Sequence, residues 1–406
     1  MRIFCFSEKA DVSAKLARNR STTIIHISKF RARRFVDLGY ADTFGSDWYF
    51  RGNITYNGMD NTAYLIGGTQ RFFTTQSRGH LIELQMNHAP MADLDLVFGG
   101  VFDQLKGENV SDLVRNTKID IARSSLFAQA DYRGTDWLKF NAGLQLNKPE
   151  GGEHDFSPRL GSIFEVTDAV TAKLLYGKAF RSPFGLDLFL NAAFLRGNPN
   201  LEPETIRTYS AELLYRVSDL QLGLTLYDSQ HDDLIVRNTT TTPVSLTNAG
   251  QMNYHGAELE YQIQLTSRLS AQGNLSWQTN ETDTGKRDTT FQPNWMLKSG
   301  LAYHGEAWLT GLFASYFGEP TPTRRLNPTV REVNTDATSY VMVTANLELD
   351  LAVLLENAAL TNAKLTLYVD NLLDEAVYYP EFSRLRVNTI PHHAGRGFYL
   401  NFAYRF

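Results

Sequence analysis

Phe398-Tyr399-Leu400-Asn401-Phe402-Ala403-Tyr404-Arg405-Phe406 closes the chain and decides its fold. Side chains alternate between the two faces of a β-strand, so Phe398, Leu400, Phe402, Tyr404 and Phe406 share one apolar face. The other face carries one tyrosine and small or polar residues. The stretch therefore predicts a terminal strand that fits either a sheet in contact with lipid or a half-buried sheet of a soluble protein.

Composition restricts the class of protein. The 406 residues carry a net charge of −5, whereas nucleic-acid binding needs a clustered basic face. Cys5 is the only cysteine, which excludes an internal disulfide. The sequence has no run of about 18 apolar residues that could form a transmembrane helix. A mean hydropathy of −0.29 still allows a transmembrane barrel, because only every second residue of such a barrel meets lipid.

Apolar and polar residues alternate over segments of roughly ten residues, as in transmembrane strands. Strands of soluble sandwiches are usually about five or six residues long, so the length of these segments favours a membrane barrel. The clearest segments are 94–98, 138–146, 220–226, 257–265 and 269–277.

The connections between these segments are alternately short and long. Tight periplasmic turns and large extracellular loops produce this alternation in outer-membrane barrels. The connection from Leu351 to Asn362 departs from it, because it is longer and rather apolar. The short connections lie at 133–136, 167–169, 217–219, 266–268 and 304–307, and the long ones at 180–202, 317–337 and 372–395.

Counting segments from residue 46 to 406 gives roughly 17 strands. Single-chain outer-membrane barrels have even strand numbers and must close, because an open edge in lipid leaves backbone groups unsatisfied. The predicted fold is therefore an all-β transmembrane antiparallel β-barrel of about 16 to 18 strands.

Six short motifs follow one another between residues 157 and 406. They are Ser157-Pro158-Arg159-Leu160, Tyr176-Gly177-Lys178-Ala179-Phe180-Arg181-Ser182-Pro183, Gly197-Asn198-Pro199-Asn200-Leu201-Glu202-Pro203-Glu204-Thr205, Asn248-Ala249-Gly250 with Gly256-Ala257-Glu258-Leu259-Glu260, Asn371-Leu372-Leu373-Asp374, and the terminal Phe406. Each is weak alone, but together and in this order they make a specific signal, which resembles the barrel of a TonB-dependent outer-membrane receptor.

The resemblance implies a barrel of about 22 strands with a plug inside it. It also implies energised import of a scarce nutrient, with a ferric siderophore as the first expectation and haem or cobalamin as the others. The implied partners are outer-membrane lipid, the iron–siderophore or similar ligand, TonB acting through the plug, and the barrel-assembly machinery. Neither a cofactor nor a nucleic acid is among them.

The start of the chain departs from the family pattern. Residues 1–45 have no apolar stretch of roughly 7 to 15 residues that a secretory signal needs, and they are basic. We expect an irregular basic segment at 1–45 and the receptor-like barrel at 46–406. A chain that begins partway into the family's barrel would explain the odd strand count, and we expect it to contain no plug.

Position within the long connections identifies candidate ligand-binding residues. Arginine pairs with carboxylates and phosphates of anionic ligands, and aromatic rings cover large planar ones. Ordinary exposed loop residues are the alternative for each of them. The candidates are Arg181, Arg324, Arg325, Arg331, Tyr340, Tyr378, Tyr379, Arg384 and Arg386.

Other possible sites are weaker. His231-Asp232-Asp233 follows a strand in a polar stretch and predicts a solvated loop rather than a metal site. His392 and His393 are adjacent, so on an extended chain their side chains point apart. Glu258 and Glu260 share a face, as carboxylates lining a wet barrel do. No nucleophile motif, phosphate-binding glycine loop or zinc spacing is present, so no catalytic or metal site and no enzyme activity is predicted.

Two alternatives to an import receptor remain open on sequence alone. A passive outer-membrane porin or structural barrel needs no plug and conducts ions without TonB. An outer-membrane hydrolase needs a histidine with serine or aspartate at the extracellular rim. Neither accounts for the series of motifs.

We predict that deleting Phe406 impairs insertion into the outer membrane and leaves transport by assembled molecules unchanged. In the family, the row Phe398, Leu400, Phe402, Tyr404 and Phe406 is an assembly signal. Loss of one buried aromatic costs roughly 1.5 to 3 kcal/mol, which a large finished barrel tolerates. The measurement compares surface-exposed protein, and ligand uptake per assembled molecule, with and without Phe406 in a chain supplied with a signal peptide, plug and missing strands. Normal surface levels in the deletion would contradict the prediction.

Overall fold

The computed structural model describes residues 2–8, 26–65, 71–110, 117–149, 154–191, 195–324, 330–381, 387–393 and 395–405. The chain divides into two compact units. The first unit consists of Met1–Ser162, Leu175–Arg207 and His231–Gln251. The second consists of Ile163–Leu174, Thr208–Gln230 and Met252–Phe406.

Nearly all regular structure is β. Within the described residues, helices are limited to α1 (Gly185–Phe189), α2 (Leu351–Leu354) and a 3-10 turn at Ala358–Leu360. The strands are β1 (Arg2–Glu8), β2 (His26–Phe44), β3 (Trp48–Leu65), β4 (Arg71–Met91), β5 (Leu94–Val110), β6 (Thr117–Thr135), β7 (Leu138–Lys148), β8 (Asp155–Thr167), β9 (Val170–Arg181), β10 (Leu195–Arg196), β11 (Glu204–Val217), β12 (Leu220–Asp232), β13 (Ile235–Asn238), β14 (Val244–Asn248), β15 (Met252–Gln264), β16 (Leu269–Thr282), β17 (Trp295–His304), β18 (Trp308–Phe317), β19 (Tyr340–Asp350), β20 (Ala363–Asp370), β21 (Tyr378–Pro380), β22 (Thr389–Pro391) and β23 (Gly397–Tyr404).

One large sheet contains 18 of these strands within the described residues. Its neighbours along the chain pair antiparallel, as β2 does with β3 in the first unit and β15 with β16 in the second. The remaining short strands form a three-stranded sheet of β10, β14 and β13 and a pair of β21 and β22. The all-β antiparallel fold class predicted from sequence is confirmed.

The N-terminal part of the chain differs from the irregular segment expected at 1–45. β2 pairs with β3 from His26 opposite Leu65 to Phe44 opposite Trp48, so the large sheet includes residues well before 46. The tight turn between them contains Gly45 at φ +68°, a conformation that glycine adopts without strain. The alternation of β2 is obscured in the sequence by the basic residues at 31, 33 and 34, and residues 9–25 lie outside the described residues.

Exposure follows the alternation that the sequence predicts. In β12, Leu224 and Leu226 are 41% and 51% exposed, whereas Thr225 and Tyr227 between and after them are half-buried. Gln221 lines a polar hollow together with Glu260 and Gln272 of the neighbouring part of the second unit. Leu224 and Leu226 therefore lie in an exposed apolar row and the residues that alternate with them in a polar row, whereas residues 220 to 223 are all half-buried.

Short turns join the strands where the sequence predicts them. Thr167 shows how compact they are, because its Oγ1 accepts hydrogen bonds from the backbone N–H groups of Ala169 and Val170 at 3.2 and 3.1 Å. The longer connection from 351 to 362 contains α2 and the 3-10 turn. Asp350 caps α2 by accepting from Ala352 and Val353, and Asn357 caps the 3-10 turn by accepting from Ala359. Two capped helical turns thus explain why this connection departs from the pattern.

Among the described residues, no helix has both the length and the apolar character needed to cross a membrane.

We predict that Leu224→Arg destabilises the protein in a lipid bilayer, whereas Thr225→Arg, on the adjacent polar row, is tolerated. Arginine on the lipid face costs about 2 to 4 kcal/mol at the bilayer midplane and less near the interfaces. The measurement is the free energy of unfolding in liposomes by urea or guanidinium titration. Equal losses for the two variants would contradict the assignment of the two rows.

Candidate functional site

The long connections of the first unit are folded around a small apolar core. Ile121, Leu188, Leu201 and Leu246 are buried together, and four further side chains pack against them. Gly197 is required beside this core, because a Cβ there would meet the backbone of Asp187 and Leu188 at 2.7 to 2.8 Å. The four packed side chains are Ile119, Phe189, Leu195 and Ile235.

Two of the sequence motifs meet in these connections. Asn198 donates from Nδ2 to the carbonyl of Leu246 at 3.0 Å, and its Oδ1 accepts from the backbone of Asn200. Asn248 donates to the carbonyls of Glu202 and Asp233 at 2.9 and 2.8 Å. The asparagine amides therefore replace regular backbone pairing between the connections 197–204 and 233–250.

Arg181, a candidate ligand residue, ends β9 in the first unit and is engaged in ion pairs. Its Nε lies 2.5 Å from Oε2 of the buried Glu204, and its Nη1 lies 3.8 Å from Asp187. The guanidinium also lies over the ring of Phe184 at 5.4 Å. Glu204 accepts in addition from the backbone N–H of Ile235 at 2.7 Å. Because its charge is matched by these carboxylates, Arg181 stabilises the loop structure.

Asn388 joins the two long connections of the second unit, 318–339 and 371–396. Its side chain is 2% exposed. Oδ1 accepts from the backbone N–H groups of Val333 and Asn334 at 3.0 and 3.2 Å, and Nδ2 donates to the carbonyl of Asn334 at 2.6 Å. The neighbouring Thr389 is also buried and donates to the carbonyl of Thr335 at 2.6 Å. The two connections are thus held to each other by buried hydrogen bonds.

A row of aromatic side chains lies beside this junction. Phe317 stacks on Tyr340 at 4.9 Å, the Tyr340 and Tyr379 hydroxyls are 2.8 Å apart, and Tyr379 stacks on His392 at 4.1 Å. Lys298 lies 5.8 Å from the Phe317 ring centre and supplies a positive charge at one end. We name Lys298, Phe317, Tyr340, Tyr379 and His392 the aromatic row. Planar rings next to cationic groups suit the recognition of large anionic ligands.

The remaining predicted ligand residues lie in different settings. Arg324 forms ion pairs with Glu332 at 2.7 Å and with Asp336 at 3.7 Å. Arg331 is exposed, and its backbone forms an isolated parallel β-bridge with Val387. Tyr378 is in β21, next to Tyr379. Arg325, Arg384 and Arg386 lie outside the described residues, as does Phe406, while the other assembly-signal residues Phe398, Leu400, Phe402 and Tyr404 are exposed along β23.

The weaker candidates have structural partners. His231 approaches Glu204 at 3.4 Å, and His393 approaches Asp370 at 3.2 Å while its neighbour His392 stacks on Tyr379. The two adjacent histidines thus contact different residues, as expected for an extended chain. Within the described ranges, no group of three or more His, Cys, Asp or Glu side chains is arranged to hold a metal ion.

No pattern in the sequence singles out Lys298, Phe317 or Asn388 as site residues. Lys298 and Phe317 belong to ordinary-looking strands, and only the antiparallel register of β17 with β18 brings their part of the sheet to Tyr340. Asn388 is one of many loop asparagines. A buried asparagine that joins two loops becomes visible only when both loops are folded.

The connection between β16 and β17 is organised by Asp288. Its Oδ1 accepts from Thr279 Oγ1 at 2.9 Å, from Asn294 Nδ2 at 2.8 Å and from the backbone of Asn280 at 3.3 Å. Burial raises the pKa of Asp288, but these hydrogen bonds outweigh burial, and the net pKa lies below the usual value for an aspartate.

We predict that Asn388→Ala loosens both connections of the second unit together. The change removes the acceptor of two backbone N–H groups, and a buried unsatisfied group costs about 1 to 3 kcal/mol. Amide hydrogen exchange should rise at 330–337 and 387–391 and remain unchanged in β19. Asn401→Ala, at an exposed strand position, is the control. A rise confined to the mutated connection would contradict a shared junction.

The depressed pKa of Asp288 predicts a pH dependence. Such a carboxylate stabilises the folded loop fully above its unfolded pKa of about 3.9, and this contribution is lost as the pH falls through the lower folded value. At low pH the protection of amides at 282–294, corrected for the intrinsic pH dependence of amide exchange, should therefore fall in the natural chain, and cleavage there by an acid protease should increase. In Asp288→Asn the loop should be weaker at neutral pH and show little further change. An identical acid response in both proteins would exclude Asp288 as the titrating group.

Solved structures share this fold at low sequence identity. The copper transporter OprC has 16% identity and a TM-score of 0.71, over 92% of this chain and 66% of that chain. A mutant ferric enterobactin receptor from Pseudomonas aeruginosa with bound enterobactin has 15% identity and a TM-score of 0.75, over 92% and 62%. The ferric-catecholate import receptor Fiu from Escherichia coli K12 has 13% identity and a TM-score of 0.71, over 92% and 64%.

The chain thus spans less than two thirds of the length of each of these structures. No curated protein sequence matches it. The family model described as TonB dependent receptor-like, beta-barrel matches residues 10–372, which is most of the chain and includes the strand β2 that precedes residue 46. With the antiparallel sheet, the short turns and the ordered motifs, this match identifies the chain as a member of the TonB-dependent receptor β-barrel family.

Proposed function

We propose that the chain is the barrel portion of an outer-membrane receptor that imports a ferric siderophore with energy supplied through TonB. Haem and cobalamin are the other bulky ligands that fit the same proposal. The observation that carries it is the aromatic row at the junction of the two long connections, within a chain of this family. The structural neighbours include a receptor bound to enterobactin and a ferric-catecholate import receptor.

The chemistry of the second unit's connections supports an anionic, partly planar ligand. Tyr340 and Tyr379 offer ring faces and hydroxyl groups, and Lys298 and His392 flank them. Arg331 is exposed beside the junction, whereas the charge of Arg324 is matched by two carboxylates. Arg325, Arg384 and Arg386 belong to the same connections by sequence and remain part of the proposal.

The proposed partners follow from the family. Lipid of the outer membrane would cover the apolar rows, the barrel-assembly machinery would engage the β23 row, and TonB would act through a plug in the complete receptor. The family and its named neighbours are transport receptors, so we propose binding and transport and no enzymatic reaction. A passive porin is the alternative function.

Ligand titration tests the proposal. The folded chain is titrated in detergent with a panel of ferric siderophores, including ferric enterobactin, and with haem and cobalamin, while intrinsic fluorescence is followed. We expect Tyr379→Ala to weaken binding about two- to tenfold, the loss expected for one aromatic contact. Tyr368→Ala is the matched control, because Tyr368 contacts Tyr399 at 5.9 Å on strands outside the long connections.

Two results would contradict the proposal. One is the absence of any response to the whole panel. The other is steady ion conductance through planar bilayers containing the chain together with equal binding by the two tyrosine variants, which would favour the porin.

A further inference from the structure

A small cavity lies in the first unit among residues of β5, β6, β7 and β9 and has a volume of about 200 Å³. The strand register places Val101 opposite Ser125, and Ser125 opposite Asn147, so these three residues share one face. Leu126 and Leu146 are the next residues along their strands and are 66% and 42% exposed. The cavity therefore lies on the polar face of these strands, opposite the apolar row.

Asn147 brings an unpartnered amide group to this cavity. It is 3% exposed, and its Oδ1 accepts from Gln145 Nε2 at 2.8 Å. Its Nδ2 is buried and has no hydrogen-bond partner in the described part of the chain. Buried polar groups are nearly always paired, because leaving one unpaired is costly. Asn147 is one of the residues that line the cavity, so its amide is an unused donor at the wall of this space.

The charged groups on the same face neutralise each other. Arg123 donates from Nε to Asp103 Oδ1 at 3.0 Å and from Nη2 to Oδ2 at 2.5 Å. The remaining N–H groups of the guanidinium stay available as donors. Lys148 also lines the cavity. It is exposed and pairs with Ser124, one position along from the pair of Ser125 with Asn147, so it belongs to the other face of the strand. A full negative charge would meet the Asp103 carboxylate, and a cation would meet the guanidinium, so the pair favours a neutral ligand.

The lining also combines donors, acceptors and apolar surface. Ser125 and Ser182 carry hydroxyl groups, Gln145 carries a carbonyl oxygen, and Phe180 and Val101 are apolar. A ligand hydroxyl donates and accepts at once, so a ring that carries several hydroxyls can satisfy both kinds of partner. The volume of about 200 Å³ corresponds to about seven water molecules at about 30 Å³ each, which is room for one such ring.

We infer that this cavity binds a single neutral sugar ring, either as a free monosaccharide or as a sugar substituent of a larger solute. Asn147 Nδ2 and Arg123 donate to ring hydroxyl oxygens, and Gln145 accepts from a ring hydroxyl. The apolar wall of Phe180 and Val101 contacts the C–H face of the ring. The site shares no residue with the aromatic row and does not depend on the ligand bound there.

Saturation-transfer difference NMR on the folded 406-residue chain tests the inference. The detergent is lauryldimethylamine oxide, which carries no sugar headgroup that could occupy the cavity. The probes are D-glucose, D-galactose, D-mannose and N-acetyl-D-glucosamine, with sodium sulfate as an anionic competitor. We expect transfer to the ring protons of at least one sugar and no displacement by sulfate. A methyl glycoside of the responding sugar then distinguishes a free monosaccharide from a sugar substituent of a larger solute. A substituent must bind with a group attached at its anomeric oxygen, so the methyl glycoside should still bind in that case.

Matched variants assign the signal to the cavity. Asn147→Asp keeps the shape and the bond from Gln145 but replaces the donor, and should weaken binding about tenfold. On the neighbouring strand β6, Gln129 donates in the same way to the carboxylate of Asp131, which shows that a strand of this sheet accommodates the arrangement. Asn87→Asp is the control, because Gln85 donates to Asn87 at the same 2.8 Å outside the cavity.

A second variant protects the test against misfolding. Ser125→Met fills the cavity and leaves the Gln145–Asn147 bond intact, so it should abolish the signal. This variant takes the place of Asn147→Asp in the test if Asn147→Asp does not fold. Folding is checked by heat-modifiable mobility in gels. A lack of transfer to every sugar, as expected if the cavity holds only water, would overturn the inference. Equal signals in the cavity variants and in Asn87→Asp, or displacement by sulfate, would do so too.

Discussion

Backbone pairing is the constraint on which the rest of this structure depends. Lipid offers no hydrogen bonds, so a strand that crosses a membrane must satisfy its N–H and C=O groups through its neighbours. The pairing of β15 with β16 extends over 13 residue pairs, from Met252 opposite Thr282 to Gln264 opposite Ser270. Paired residues share a face, so the register also fixes which side chains meet lipid and which meet water. The apolar rows, the polar rows and the positions of the loops all follow from it.

Asparagine takes over this role where the ladder stops. Asn198 and Asn248 in the first unit, and Asn371 and Asn388 in the second, each use a side-chain amide to pair with backbone groups of a connection. An amide carries both donors and an acceptor, which allows it to imitate a missing peptide partner. Three of these four asparagines, Asn198, Asn248 and Asn371, belong to motifs that resemble the family's, so in this chain these motif residues hold the backbone of the connections.

The sequence was sufficient for the fold because alternation and loop length are local properties. Leu224 and Leu226 show it directly, since their exposure follows from the period of two. The irregular segment expected at 1–45 shows the limit, because clustered arginines hide the same period in β2. Less of the candidate site follows from the sequence. Position within the long connections singles out Tyr340 and Tyr379 as candidates, but their contact, and the contacts of Lys298 and Asn388, depend on which distant loops come together. The same holds for Arg181, because its partner Glu204 lies 23 residues away in the sequence and becomes apparent only in the fold.

The polar face of the strands satisfies part of its own hydrogen-bonding capacity. Side chains two residues apart bond to each other there, as Gln85 does to Asn87, Gln129 to Asp131 and Gln145 to Asn147. Each such bond uses one donor and one acceptor within the strand itself, so fewer groups remain to order the water beside it. Asn147 shows the limit of this arrangement, because its acceptor is used by Gln145 while its donor is left without a partner in the described part of the chain.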